Sequence, residues 1–170
     1  HGDGSVEDIE IDGWNNVIGV NQTGVMLTIQ HAICAMAKNP GGATGSIIVN
    51  SSVNAHRAVG NFVAYSVSKA AVVALTKSAA VHCGNQSYKV RVNAILPGGV
   101  ETAMIQNLVE TSGAAEATRA AYEGMSPLKR MANVDEIAGL VAYLASDEAA
   151  FISGSEYVID GATTAGMMGV

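Results

Sequence analysis

The sequence predicts an α/β fold, because segments typical of buried strands alternate with segments typical of helices. Three observations support this prediction. The unbroken apolar run Ile47, Ile48 and Val49 is typical of a buried strand. Residues 13–38 and 64–83, on either side of that run, are typical of long helices. Alanine, glycine and valine are abundant and aromatic residues make up 5% of the chain, which suits close packing of helices on a sheet.

Length, composition and charge narrow the class of protein. With 170 residues, of which 49% are apolar, the chain can form one domain with a sizeable core. Its net charge of −6 argues against a nucleic acid or an anionic membrane as partner. The longest apolar run, residues 137–145, is shorter than the roughly 20 residues that span a bilayer. We therefore expect neither a nucleic-acid nor a membrane partner.

The cysteines and histidines predict neither a disulfide framework nor a metal site. Cys34 and Cys83 both fall in predicted helices, where each is expected to be an inert core thiol. This use of cysteine indicates a reducing, cytoplasmic setting. No catalytic metal is predicted, because the four histidines lack the spacing of metal ligands: His1, His31, His56 and His82.

The first 38 residues predict a polar loop followed by a long amphipathic helix. Residues 1–12 hold five of the 15 acidic residues, between Asp3 and Asp12, and are expected to be a solvated loop. Apolar residues then recur at helical spacing, at Trp14, Val17, Ile18, Met26, Ile29, Ile33 and Met36. Asn21 interrupts this helix with a polar side chain. Such a residue marks either a capping or solvated position or a local distortion of the helical hydrogen bonds.

The middle of the chain brings three chemically distinct side chains to the end of the first strand. That strand ends in Ser51 and Ser52, and a loop over residues 53–63 leads to the second long helix. Tyr65 and Lys69 lie four positions apart in this helix, so they project from one face, one turn apart. Ser52 is the predicted partner of this pair, because Ser51 should point to the opposite side of the strand.

These side chains suit proton transfer. A free tyrosine has a pKa near 10, and a neighbouring ammonium group favours its phenolate form. Ser52 could donate a hydrogen bond to a substrate oxygen while Tyr65 takes or gives a proton. A tyrosine–lysine pair at this spacing is otherwise typical of a solvated helix face. The preceding strand and its terminal serines favour the catalytic interpretation.

The second half of the chain predicts a second strand, an irregular region and a capped helix. Alternating apolar residues over 90–94 predict a strand that runs to Pro97, where Gly98 and Gly99 would let a ligand approach the backbone. Residues 103–128 suit either a mobile lid or a packed helical pair. In the loop over residues 53–63, Arg57 is either a reader of a charged substrate or simply solvated.

The last elements are a helix and a short strand. Asn133 and Glu136 have the spacing of a capping pair at the start of a helix. The buried stripe of this helix is predicted at Ile137, Leu140, Val141 and Leu144. Residues 156–159 are predicted to form the last strand, and no repeat, linker or second domain is recognisable.

Four segments together resemble the short-chain dehydrogenase/reductase family in order and spacing. They are Ser46–Ser52, Tyr65–Ala71, Arg91–Thr102 and Ser153–Gly161. The resemblance extends over essentially the whole chain. It implies a doubly wound parallel sheet of the Rossmann type and hydride transfer between NAD or NADP and an alcohol or carbonyl carbon. Family members also carry a glycine-rich strand-to-helix turn that is absent here, so residues 1–170 are expected to be the C-terminal part of a single Rossmann-like catalytic domain.

The resemblance also assigns roles to individual residues. Tyr65 would be the general acid and base, and Lys69 would lower its pKa and bind a ribose hydroxyl group. Ser52 would polarise the substrate oxygen, and Asn21 would order a water molecule in a proton relay to Lys69. Further contacts to the carboxamide and a phosphate of the cofactor would come from the loop after the second strand: Pro97, Gly98, Val100 and Thr102.

The predicted reaction is the reversible oxidation of a secondary alcohol to a ketone on a small molecule. Apolar residues at Met104, Leu108 and Met125 favour an apolar, cyclic substrate. The alternatives are a 3-oxoacyl-thioester reductase that uses the same residues, a hydro-lyase or epimerase, and a truncated, non-catalytic oligomerisation module. Because the family pairs its two long helices across subunits, a homo-oligomer, dimer or tetramer, is also expected.

Overall fold

In the computed structural model, which describes residues 2–166, a parallel three-stranded sheet has helices on both faces. The strands lie in the order β1 (Thr44–Asn50), β2 (Lys89–Pro97) and β3 (Glu156–Ile159). The helices are α1 (Ile11–Ile18), α2 (Val25–Met36), α3 (Val63–Asn85), α4 (Ala103–Thr111), α5 (Ala115–Gly124) and α6 (Val134–Ala145). The predicted α/β, doubly wound class is confirmed.

One face of the sheet forms the main core with α2 and α3. Alternate residues of β2 point to this face, and Val90 and Val92 are buried there. Ile29 of α2 and Val72 of α3 pack against them together with Val49 of β1. The core therefore fixes the second long helix directly over the sheet, which sets the position of the residues at its N-terminal end.

Helix α6 covers the opposite face, to which Ser46 and Arg91 point. The Ser46 hydroxyl group and the Arg91 guanidinium group both donate hydrogen bonds to the Leu144 carbonyl oxygen, at 2.9 and 2.8 Å. Leu144 is itself buried. Polar residues of β1 and β2 thus hold the C-terminal end of α6 against the sheet.

The sequence predicted a buried strand at β1, and the structure adds its position in the sheet. In the described part of the chain β1 is an edge strand and β2 is the central one. Consistent with this, Val49 is buried whereas Ile47 and Ile48 are only half-buried. An apolar run reports that a strand packs on both faces, but it does not report how many strands lie beside it.

The first long helix is distorted at its centre, as one interpretation of Asn21 had it. Between α1 and α2, residues Gly19–Gly24 form a π-helix that contains Asn21. The backbone stays right-handed helical at both junctions, Ile18 and Val25. The extra residue in a π-turn rotates the following side chains relative to a regular helix, so the polar side chain is placed where the apolar stripe alone would not put it.

Residues 103–128 form two helices, α4 and α5, rather than an irregular segment. The apolar side chains on which the prediction of an apolar substrate rests are exposed in the described structure: Met104 by 75%, Leu108 by 46% and Met125 by 47%. The helical pair is therefore confirmed, and its movement as a lid stays a prediction.

Of the stripe predicted for α6, Leu144 is buried, and Ile137, Leu140 and Val141 are half-buried. The predicted last strand coincides with β3, and α6 begins with the predicted capping pair. Cys83 is buried, and burial raises the pKa of its thiol group, but Cys34 is exposed, so its assignment as a core thiol is wrong. Helix α2 places one side in the core and the other outside, and Cys34 lies on the outer side. Among the described helices, none has the length and apolarity required to cross a bilayer.

Candidate active site

Lys69 is tied to the C-terminal end of β1 by two hydrogen bonds. The Ser51 hydroxyl group donates to the Lys69 backbone carbonyl oxygen at 2.8 Å. The Lys69 ammonium group in turn donates to the Asn50 carbonyl oxygen at 3.0 Å. Helix α3 is therefore fixed to the end of the strand at the residue that was predicted to assist catalysis.

Tyr65 lies beside this ammonium group, as the four-residue spacing requires. The Lys69 nitrogen is 5.4 Å from the centroid of the Tyr65 ring, within the range of a cation–π interaction. Both side chains are partly buried. Burial lowers the pKa of the Lys69 ammonium group from its ordinary value, because a buried cation loses hydration. The structure thus brings the predicted pair together in a partly desolvated position.

The two serines that follow β1 have different partners. The Ser51 proton is committed to Lys69, as described above. The Ser52 oxygen accepts a hydrogen bond from the Asn54 backbone N–H at 3.2 Å and caps a short 3-10 turn, Val53–Ala55. Since a hydroxyl group can accept and donate at once, Ser52 retains a proton for a ligand. Both serines are buried. Because the Ser51 hydroxyl group binds the backbone of Lys69, Ser51 has a structural role that the sequence analysis did not assign to it.

Asn21 reaches α3 from the π-helix. Its side-chain amide donates to the Ser68 hydroxyl oxygen at 3.4 Å, and the Ser68 hydroxyl group donates to the Tyr65 carbonyl oxygen at 2.7 Å. Ser68 is fully buried. The contact places the Asn21 side chain beside Ser68, the residue that precedes Lys69. The role of Asn21 in ordering a water molecule stays a prediction.

The loop after β2 lies at the same edge of the sheet. The backbone N–H of Ser51 donates to the Ile95 carbonyl oxygen, so the carboxyl ends of the two parallel strands are adjacent. Pro97 ends β2, and a Cβ atom on Gly98 would lie 2.9 Å from the Asp160 Cα atom. The described structure thus gives Gly98 a packing reason to be glycine, and its ligand role stays a prediction.

Val100 and Thr102 follow in a short, paired segment. Val100 forms a parallel bridge with Ala132. The Thr102 oxygen accepts a hydrogen bond from the Ile105 N–H at 3.4 Å and caps α4. The Thr102 hydroxyl proton therefore remains available, which is the property expected of a residue that binds a carboxamide or phosphate oxygen.

Asp3 departs from the expectation of a solvated acidic loop. Its carboxylate accepts hydrogen bonds from the backbone N–H groups of Ala64 and Tyr65, at 3.0 and 2.8 Å. These groups belong to the first turn of α3. The contact joins residues 61 and 62 positions apart, and the sequence contained no spacing signal that distinguishes Asp3 from the neighbouring acids.

The loop over residues 53–63 is held by two contacts that sequence reasoning also missed. His56 and Lys77 both bind the Glu156 carboxylate, with nitrogen–oxygen distances of 2.6 and 2.5 Å. The hydrogen bond from Lys77, aided by His56, lowers the pKa of Glu156 against the effect of burial. Arg57 donates to the Thr163 carbonyl oxygen at 2.5 Å. In the described structure Arg57 therefore has a hydrogen-bond partner and is not simply solvated.

The described residues contain no cluster of three or more histidine, cysteine, aspartate or glutamate side chains that could hold a metal ion. His1 lies outside the described residues.

Comparison with known proteins gives consistent matches over nearly the whole chain. Residues 1–164 match the model of a family described as enoyl-(acyl carrier protein) reductase. The chain is 39% identical over 163 residues to the trans-4-hydroxycyclohexanecarboxylate dehydrogenase of Sinomonas cyclohexanicum, covering 96% of this chain and 56% of that relative. It is 33% identical over 160 residues to the cyclohexanol dehydrogenase of Acinetobacter sp. strain SE19, covering 94% of this chain and 58% of that relative. The chain thus spans little more than half the length of these curated relatives.

A solved structure matches at the level of the fold and of the sequence. It is a short chain dehydrogenase family protein from Francisella tularensis, with a TM-score of 0.82 and 32% sequence identity. The match covers 96% of this chain and 67% of that chain. The doubly wound arrangement described above is therefore shared with this protein.

Proposed function

Because this chain belongs to the short-chain dehydrogenase/reductase family, we propose that the protein interconverts a secondary alcohol and a ketone with NAD or NADP as cofactor. One observation carries the proposal. The Lys69 ammonium group lies 5.4 Å from the centroid of the Tyr65 ring and is bound to the last carbonyl group of β1. This arrangement puts a phenol, a cation and the Ser52 hydroxyl group at one edge of the sheet.

The donors at this edge fit a nicotinamide cofactor. An ammonium group has three N–H donors, and in the described structure Lys69 gives one of them to Asn50. The other two suit the hydroxyl groups of a ribose. The proton of Thr102 suits a carboxamide or phosphate oxygen, and Pro97, Gly98 and Val100 would supply the adjoining backbone. When bound, the nicotinamide would accept or supply the hydride that converts alcohol and ketone.

The proton chemistry falls to the residues of this chain. Tyr65 would exchange a proton with the substrate oxygen, and the nearby Lys69 ammonium group would favour the phenolate by its charge. The Ser52 hydroxyl group, whose oxygen is occupied by Asn54, would donate to the same substrate oxygen. Asn21, which binds Ser68 of α3, would order a water molecule in a proton relay to Lys69.

We further propose an apolar, cyclic substrate. The two curated relatives described above are named as dehydrogenases of cyclohexane-ring alcohols. In this chain Met104, Leu108 and Met125 present exposed apolar side chains on and next to the α4–α5 pair. Such a surface would cover a hydrocarbon ring and exclude water from it.

Oligomerisation and a cytoplasmic setting complete the proposal. Helices α2 and α3 leave apolar side chains exposed at Leu27, Val67 and Val81, which supports the pairing of these helices between subunits. The proposal of a reducing, cytoplasmic setting rests on the use of cysteine in this chain, in which Cys34 and Cys83 lie in two separate helices.

Replacement of Tyr65 by phenylalanine tests the proposed function. In the intact protein, Tyr65→Phe should reduce kcat for the oxidation of cyclohexanol by about 100- to 10,000-fold, because the ring is kept and the proton-transferring hydroxyl group is lost. Formation of the reduced nicotinamide, followed by absorbance, measures the rate. Tyr143→Phe is the matched control, since Tyr143 is exposed on α6 and should retain the wild-type rate.

Retention of near-normal alcohol oxidation by Tyr65→Phe would defeat the mechanism. Two further measurements separate the alternatives. A 3-oxoacyl-thioester reductase would reduce acetoacetyl thioesters faster than it oxidises cyclohexanol. A non-catalytic oligomerisation module would show no saturable binding of NAD or NADP in calorimetry.

A further inference from the structure

We propose that Asp3 is a positioning residue for the reaction, which holds the first turn of α3 and thereby the backbone of Tyr65. The inference rests on the proposed function of Tyr65. It goes beyond that function because it assigns a role to a residue outside the predicted catalytic set and remote from it in sequence.

Helix α3 has no cap of its own. The first N–H groups of a helix lack partners within the helix. Phe62 occupies the N-cap position of α3 and provides no side-chain hydrogen bond. The partners come instead from the start of the chain. Val63 N–H donates to the Gly4 carbonyl oxygen at 3.1 Å, and Asp3 accepts from the next two N–H groups, as given above. Ser66 N–H, the fourth, returns to the Phe62 carbonyl oxygen.

At Ala64 water cannot replace the hydrogen bond to Asp3. Ala64 is fully buried, and its N–H donates to Asp3. A buried N–H without an acceptor is strongly unfavourable, so removal of the carboxylate should displace the turn rather than leave it intact. The negative charge of Asp3 also matches the positive end of the helix dipole. The described geometry therefore makes Asp3 the cap of α3.

Asp3 is in turn held firmly in place. Its carboxylate accepts a hydrogen bond from the Gly4 N–H at 2.9 Å. Gly2 packs directly on the buried Gly13 of α1, where an added Cβ atom would lie 1.8 Å from the Gly2 carbonyl oxygen. The segment Gly2–Gly4 is thus fixed between α1 and α3 and can transmit a defined position to Tyr65.

Loss of this cap should act on Tyr65 more than on Lys69. The Tyr65 N–H is held by Asp3, and its carbonyl oxygen is held by Ser68 within the same turn. Lys69, one turn further on, is held independently by Ser51. Without Asp3 the phenol would be misplaced while the ammonium group kept its place. We therefore expect a defect in turnover with little change in cofactor binding.

The experiment compares three variants of the intact protein. Asp3→Ala removes the cap, Asp3→Asn keeps one carbonyl acceptor, and Asp12→Asn removes an exposed charge from the same acidic stretch as a control. For Asp3→Ala, kcat for cyclohexanol oxidation should fall about 10- to 100-fold. The cofactor KM should change by less than about threefold. Asp3→Asn should recover part of kcat, and Asp12→Asn should equal the wild type.

Amide hydrogen exchange gives a second readout that does not depend on activity. Exchange at the amides of Ala64 and Tyr65 should become at least about tenfold faster in Asp3→Ala, while the Val72 amide in the middle of α3 stays protected. If the wild type oxidises no alcohol but amide exchange is faster in Asp3→Ala, the proposed function is rejected, while the role of Asp3 as the cap of α3 is supported. If Asp3→Ala does not fold, Asp3→Asn is judged by the same two readouts. Unchanged exchange or a kcat within about twofold of the wild type would overturn the proposal.

Discussion

The N-terminal ends of α3 and α6 are capped in opposite ways. At α6 every partner lies within residues 130–136. Asn133 accepts from the Asp135 N–H at 3.0 Å, and Glu136 accepts from the Asn133 N–H at 2.8 Å. Arg130 adds two hydrogen bonds to Glu136, each of 2.7 Å. At α3 the partners come from Asp3 and Gly4, about sixty positions earlier in the chain.

Because of this difference, we expect loss of the α6 cap to change stability alone and loss of the α3 cap to change turnover as well. A local cap stabilises its own helix and can be lost without moving any other element. A cap that comes from a distant segment joins two parts of the fold, so its loss changes the position of whatever the helix carries. In this chain the helix with the distant cap carries Tyr65 and Lys69. The predictions below test this contrast, in order of decreasing effect.

Gly13→Ala should disrupt the distant cap from its far side. The new Cβ atom would lie 1.8 Å from the Gly2 carbonyl oxygen, so the backbone of the Gly2–Gly4 segment must move. We expect a loss of about 1–3 kcal/mol in the free energy of unfolding, together with a fall in kcat. Denaturant unfolding and the cyclohexanol assay measure the two effects.

Gly139→Ala in α6 is the matched control. A Cβ atom on Gly139 meets no atom within 4 Å in the described structure, so this change should stabilise the helix by about 0.5–1 kcal/mol and leave kcat unchanged. The contrast fails if the two alanine variants behave alike.

Asn133→Ala should weaken the local cap of α6 and nothing else. Loss of an N-cap side chain costs about 1 kcal/mol. Because all partners lie in one short stretch, we expect a lower unfolding temperature with kcat and KM at their wild-type values. A fall in kcat comparable to that of the Gly13 variant would show that local and distant caps do not differ in the way described here.

The same contrast explains what the sequence could predict. The spacing of Asn133 and Glu136 predicts a helix cap, because that spacing is set by the geometry of one helical turn. The spacing of Tyr65 and Lys69 predicts, for the same reason, that both side chains lie on one face of a helix. The distortion at Asn21 was one of two interpretations. A polar residue in an apolar stripe indicates an irregular position, but it does not show whether the helix is distorted or the side chain is solvated there. Local periodicity therefore predicted most elements and the proximity of Tyr65 and Lys69.

Long-range partners carried no such signal. Asp3 looks like any of the acids around it, and only the folded chain shows that it reaches the first turn of α3. Ser51 was set aside by strand alternation, although its proton holds Lys69. The edge position of β1 depends on which strands lie beside it, a property of the whole sheet. These features depend on which segments meet in space, and spacing along one element does not encode that.

The smallest effect should appear in the acid titration of the α6 cap. Hydrogen bonds from Arg130 and from the Asn133 N–H lower the pKa of Glu136 from its ordinary value near 4.5 to about 2. A carboxyl group whose pKa is lowered on folding stabilises the protein above its ordinary pKa, and this contribution is lost as the pH falls from 4.5 towards 2. In Arg130→Gln the pKa of Glu136 should rise part of the way back, because the Asn133 hydrogen bond remains. Carboxyl carbon chemical shifts measure this change directly.

The stability difference between the wild type and Arg130→Gln should be largest above pH 4.5 and vanish near pH 2. Added salt should reduce it, because both side chains are exposed. Cyclohexanol oxidation at neutral pH should stay at the wild-type rate, since Arg130 and Glu136 form part of the local cap at the start of α6. A loss of turnover in this variant would mean that the α6 cap, like the α3 cap in its proposed role, affects the position of the residues proposed for catalysis.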